Sequence, residues 1–245
     1  MRRLLVLLLL AVLPAWAAVT ALGVSEDSRN GGVNCLISLT AMGLVAGDVV
    51  VVTGGFPQRA GEGEHLGPLA AFGYTKIASD TIDGVSHGVW YRVVVSNVDS
   101  VRCGGTANVE DAISYVAIGL RGADTSHVVD TLATMATGSS TNPDPPAITT
   151  VTDGAWVIAC GASIVAESDP GTITNYTNDI YTAASDTRKH SSALCTRQIA
   201  AAGSENPGAW NSWATGVWRV YTVAIRPAAG AVPPASTGNM FLVFP

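Results

Sequence analysis

The chain has 245 residues, of which 48% are hydrophobic and only 13% charged. That is about half the roughly 25% charge of an ordinary globular domain, and far too apolar for a disordered chain. Acidic residues outnumber basic ones 19 to 13, which argues against a general nucleic-acid binder, since neutralising phosphates takes clustered Lys and Arg.

The N-terminus opens with Arg2-Arg3, an apolar run from Leu4 to Leu13, and the small-x-small pattern Ala15-Trp16-Ala17. This is the layout of a secretory signal cleaved before Ala18. Leu4 to Val24 is also an uncharged run of 21 residues, long enough to span a bilayer if retained. Residues 1–22 are therefore read as a signal peptide or a retained apolar segment.

Strand signals of period two then recur down the chain. They cover Val33 to Thr40, Asp48 to Thr53, Phe72 to Ile77, Gly88 to Ser96, Ile113 to Arg121 and His127 to Leu132. They continue over Ala147 to Thr152, Ala155 to Gly161, Ser191 to Ala200 and Gly216 to Arg226. Asp153-Gly154 between two β-prone runs predicts a hairpin. Helical evidence reduces to one turn over Val109 to Ala112, with Asn108 as its cap. About ten strands without intervening helices predict an all-β fold, an antiparallel β-sandwich of jelly-roll-like form, over residues 23–227. An Ala/Pro/Gly/Ser-rich linker follows at 228–238, then an apolar tail at 239–245.

Two polar loops, Gly54 to Pro68 and Asp169 to Asp186, are the expected places for binding. The first holds His65 and the second Tyr176 and Tyr181. Trp210-Asn-Ser-Trp213 could stack on a sugar ring, but large aromatics more often bury, so a cap on the core is the better reading. Trp90, Trp156 and Trp218 lie in apolar strands and read as core. The candidate contact residues are thus Trp210, Trp213, Tyr176, Tyr181 and His65.

No catalytic motif, cofactor or metal is indicated. HExxH is missing, and Gly61-Glu-Gly-Glu-His-Leu-Gly67 has the wrong spacing and sign for phosphate. The acid pairs Asp80/Asp83 and Asp124/Asp130 fit no calcium loop and read as turn acids. A hydrolase would need paired carboxylates in a cleft, for which only the scattered Glu62, Glu64 and Glu167 offer themselves. Cys35, Cys103, Cys160 and Cys195 allow two disulfides in three connectivities, or free buried thiols.

The order of segments resembles a family of bacteriophage virion proteins, also found in prophage and gene-transfer particles. The resemblance rests on Gly47-Asp-Val-Val-Val-Val, Gly88-Val-Trp-Tyr-Arg and Tyr115-Val-Ala-Ile-Gly-Leu-Arg-Gly. It continues through Ser140-Thr-Asn-Pro-Asp-Pro-Pro-Ala-Ile-Thr-Thr-Val-Thr-Asp-Gly-Ala-Trp and Val223-Ala-Ile-Arg-Pro-Ala. It implies a jelly-roll-like module without catalytic residues, used as a capsid decoration, spike or tail accessory. Its partners would be copies of itself and other virion proteins, with a host-surface glycan as a further ligand. The N-terminal signal favours a different setting, an exported bacterial surface or adhesion protein of the same fold.

Overall fold

The computed structural model describes residues 19–29, 35–57, 72–82, 84–96, 100–103, 112–165, 169–185 and 188–229. His65, Glu62, Glu64, Glu167, most of the Val109 to Ala112 turn and the C-terminal tail lie outside these residues.

The first half of the chain supplies β1 (Thr20–Arg29), β2 (Cys35–Ser38), a 3-10 turn (Thr40–Met42), β3 (Val49–Pro57), β4 (Thr75–Ile82), β5 (Val85–Val93), β6 (Ser100–Cys103) and β7 (Ile113–Arg121). The second half supplies β8 (Val129–Gly138), β9 (Ile148–Thr149), β10 (Trp156–Ser163), β11 (Thr177–Ser185), β12 (Lys189–Gln198), β13 (Ser204–Glu205) and β14 (Trp218–Ile225). Two antiparallel five-stranded sheets, β1-β7-β3-β5-β4 and β11-β12-β10-β14-β8, pack as a sandwich. The ribbons β2–β6 and β9–β13 stand apart from them.

Both central strands are buried on two faces, so their sequences read as continuous apolar runs rather than alternating ones. On β3, Val49 and Val51 point between the sheets, while Val50 and Val52 pack outward with Ile37, Leu39 and Trp90. On β10, Trp156, Ile158 and Cys160 point between the sheets, while Val157 and Ala159 pack outward with Trp210 and Trp213.

The second half repeats the first. Adding seven to every label turns the order β1-β7-β3-β5-β4 into β8-β14-β10-β12-β11, and turns the ribbon β2–β6 into β9–β13. The registers of the central strands agree residue by residue. Val49 pairs with Leu120 and Val93, and Trp156 pairs with Ile225 and Gln198. Thr75 faces Tyr91, Thr177 faces Thr196, and a bulge follows in both strands.

The turns agree as well. Gly47 and Gly154 both take a left-handed φ, 92° and 77°, and each sits in a turn closed from the next residue, Asp48 N to Val45 O at 3.1 Å and Ala155 N to Thr152 O at 3.3 Å. Gly73-Tyr74-Thr75 and Asn175-Tyr176-Thr177 also correspond, with Gly73 and Asn175 both left-handed. The segments after β7 and β14 meet in an antiparallel bridge, Ala123 to Pro227. Such a bridge has two-fold symmetry, which suits the junction of two like units.

The sandwich is all-β and antiparallel as the sequence indicated, with several differences of detail. Among the described residues fourteen strands form rather than about ten, and each large sheet comes from one contiguous half of the chain. The fold begins at Val19, buried in the core, and β1, so the boundary drawn at 22/23 falls inside a strand. β11 occupies half of the stretch read as the Asp169 to Asp186 loop.

Asp153-Gly154 makes its turn but no hairpin. Both edges of β10 are taken by β12 and β14, and β9 pairs with β13 instead. The proline-rich lead-in lies on the sheet's outer side, held where Thr222 Oγ1 donates to the Pro146 carbonyl at 2.6 Å. Two disulfides do not form either. Cys160 and Cys195 are free, buried thiols. Cys160 faces Leu194 across the ladder and Cys195 faces Ala159, so the two thiols lie on opposite faces of the sheet. The register sets Cys35 opposite Cys103.

Candidate functional site

One end of the space between the sheets is apolar, and the other holds polar groups that strand parity sends inward. Ser114 on β7 is in hydrogen-bond contact with His190 Nδ1 at 2.7 Å and with Ser192 Oγ at 2.8 Å. Thr53 Oγ1 contacts His87 Nε2 at 2.7 Å. Arg219, fully buried, reaches Asp80 at 3.1 Å and so ties the second sheet to the edge of the first.

Burial holds His190 in the neutral form, with its pKa pushed down to about 3, opposed in part by the Ser86 carbonyl. Burial pushes His87 well below its usual value too, aided by His190 and the Arg219 charge. Ser114 and His190 have the contact of a nucleophile and base, but both are completely buried, and the other partner of His190 is the Ser86 carbonyl rather than an orienting carboxylate. No substrate atom reaches them. Among the described residues no group of three or more His, Cys, Asp or Glu is placed to hold a metal ion.

The aromatic residues singled out in the sequence separate into three places. Trp213 is buried under the second sheet's outer face, where its Nε1 donates to Ser191 Oγ at 3.2 Å and its ring meets that of Trp210 edge-on at 5.5 Å. Trp210 is also buried, and one side of it joins Tyr181, Asp169 and Asp179 in lining a cavity of about 60 Å³. That volume suits a water or two and is far below the roughly 300 Å³ at which small-molecule pockets begin. Burial, with Asp169 nearby, raises the Asp179 pKa.

Tyr176 lies elsewhere. It is buried, and its hydroxyl donates to Glu205 Oε1 at 3.2 Å. Arg197 Nη1 donates to the same oxygen at 2.9 Å. Burial and the Glu205 charge together raise the Tyr176 pKa.

The turn acids also find structural work. Asp124 caps the backbone N–H groups of Ser126 and His127. Asp130 accepts from Val151 N and from Arg226. Asp80 serves Arg219 and is no mere solvated turn residue.

A larger cavity, about 350 Å³, opens on the outer side of the first sheet. Leu36, Phe72, Tyr74, Arg92, Val101 and Arg102 line it. Leu36 and Phe72 are among the exposed large apolar residues, and the Arg92 guanidinium sits 5.9 Å from the centre of the Tyr74 ring, within cation–π range.

No family model matches the chain, and no curated protein or solved structure matches it. The larger cavity was missed in the sequence because its walls come from four separated segments. The available signal was the repeated Tyr-Thr pair, Tyr74-Thr75 and Tyr176-Thr177, with Arg92 and Arg197 following at similar spacing.

Proposed function

We propose that the protein is a non-enzymatic structural or appendage protein of a phage particle, a capsid decoration, spike or tail accessory that acts through its surface. The carrying observation is the use made of its reactive side chains. The Ser114–His190 contact is sealed between the sheets, His87 packs against Tyr221 of the other sheet and Arg219 pairs with Asp80, while the larger cavity opens on an outer face. The segment order that resembles virion proteins supports the same reading. The protein should then be found in purified particles by mass spectrometry. Intact, infectious particles that lack it would overturn the proposal.

A second reading, an exported surface or adhesion protein with a glycan ligand, draws on the position of β1. Its first residue, Thr20, follows closely on the Ala15-x-Ala17 cleavage pattern, so cleavage before Ala18 would spare the whole strand. Sequencing the native N-terminus tests this. A chain beginning at Ala18 favours export, and one retaining Met1 removes it.

A further inference from the structure

We propose that the 350 Å³ cavity of the first repeat is a binding site for a small organic carboxylate with an apolar or ring-shaped body. The argument comes from its counterpart in the second repeat. Arg92 pairs with Val50 on β3, and Arg197 pairs with Val157 on β10. Those two valines are equivalent, because Val49 and Trp156 hold matching registers. Tyr74 and Tyr176 are equivalent in turn, each preceding the first residue of its strand.

In the second repeat this Tyr–Arg pair holds a carboxylate, that of Glu205, through two hydrogen bonds to one oxygen. Glu205 lies opposite Ile148 on its ribbon, and Val101 lies opposite Ile37. Ile37 and Ile148 are both buried against the outer faces of their sheets. Val101 thus takes the place of Glu205, and among the described residues no acid of the first repeat stands beside its Tyr–Arg pair.

What the first repeat has instead is space and more positive charge. The cavity adds Arg102, and among the described residues neither Arg92 nor Arg102 has a carboxylate partner. Two guanidinium groups beside a buried tyrosine select an anion, and Arg favours the planar carboxylate geometry. Leu36 and Phe72 at the rim supply apolar surface for the rest of the ligand. The volume falls within the range of small-molecule pockets. The site stands apart from the virion reading, which survives if the cavity binds nothing.

The test titrates the full chain with benzoate, hexanoate and glucuronate, and with benzamide as the neutral counterpart of benzoate, by calorimetry and NMR. Benzoate should bind about tenfold more tightly than benzamide, the worth of one charge-assisted hydrogen bond. Arg92→Gln should remove that preference, and Arg102→Gln, on an exposed position, should weaken it without affecting folding. No binding by any of the three carboxylates, equal binding of acid and amide, or an unchanged preference in both variants would overturn the proposal.

A second arm checks the pair itself. Glu205→Ala opens the equivalent place in the second repeat, so acetate should raise its thermal midpoint more than that of the wild type. The gain should vanish in Glu205→Ala/Arg197→Gln. Absence of any acetate effect would show that the Tyr–Arg pair does not select a carboxylate.

Discussion

The two repeats agree where they face each other and differ in what covers their outer sides. Registers, bulges and left-handed turns coincide through β3, β4, β5 and their counterparts β10, β11 and β12. The outer ribbons do not: β2 and β6 have four residues each, β9 and β13 only two. The second sheet's cover adds Trp210 and Trp213. A residue between the sheets must satisfy both repeats at once, so each change there has to be matched across the interface. An outer cover answers to one sheet only and is free to diverge, which is where a duplicated fold can acquire a ligand site.

The polar end of the interface shows how such matching works. Ser114 and Arg219 occupy equivalent positions, opposite Gly55 and Ala162 respectively. Ser114 meets His190 and Ser192 of the other sheet, and Arg219 lies close enough to His87 of the other sheet to depress its pKa. The same geometric contact is thus made twice with different chemistry. The cost is two imidazoles that must stay neutral.

The largest expected effect follows from that cost. His87 and His190 are neutral in the folded protein well below pH 6.5, whereas in the unfolded chain they take up protons near that pH. Between pH 6.5 and the folded pKa, about 3 for His190, the unfolded state binds more protons. Stability is therefore full at pH 7 and falls as pH drops through this window, on the order of 1.4 kcal/mol per pH unit for each histidine. Urea unfolding at pH 7 and pH 4.5 should show the loss, and a flat profile would mean that the interface is wetter than described.

Next in size are paired truncations at the apolar end. Ile118 and Val223 hold equivalent inward positions, opposite Val51 and Ile158. Ile118→Ala should cost about 3 kcal/mol and Val223→Ala about 2 kcal/mol, from lost burial plus residual cavity. Comparable losses from the two halves, in one cooperative transition, would show that they fold as a unit. A biphasic curve would show repeats of separate stability.

Much of the sandwich was legible because its strands carry period-two or doubly apolar signals. Ile113 to Arg121 is recovered residue for residue, and the valine run of β3 could be little else. The misses have particular causes. β1 was absorbed into the apolar N-terminal run that precedes it. β11, with Asn178 and Asp179, is an edge strand in which only Thr182 and Ala184 are buried, so it has the composition of a loop. Asp153-Gly154 signals a turn faithfully, but partner choice is tertiary, and β10 had better neighbours than β9. The repeat escaped notice because the halves share geometry more than letters: Thr53 corresponds to Cys160, and Ser114 to Arg219. The candidate cavity was illegible for the same reason, since an empty place becomes visible only beside a filled one.

A smaller effect bears on that contrast. Glu205→Gln keeps the shape but removes the charge shared by Tyr176 and Arg197, and should cost about 1 kcal/mol. Arg92→Gln, at the equivalent of Arg197, should change stability by less than about 0.5 kcal/mol, because no carboxylate is lost. Chemical denaturation of the two variants measures the difference directly. Equal costs would mean that the first repeat's arginine is as fully engaged as the second's.

The smallest expected change in stability concerns the outer edges of the sheets. β1 and β8 are equivalent strands, each at the end of its sheet. β1 is tied across to β11 where Ser28 Oγ donates to the Ala183 carbonyl at 2.9 Å, whereas β8 presents Leu132 to solvent with 80% of its surface exposed. An exposed apolar edge strand is a template for pairing with another chain, and a lysine on such an edge opposes it. Leu132→Lys should therefore alter folding stability by less than about 0.5 kcal/mol while weakening self-association, which sedimentation at several concentrations would reveal. If wild type and variant sediment alike, the edge is not the contact between copies, and the difference between β1 and β8 concerns only how each repeat closes its own side of the sandwich.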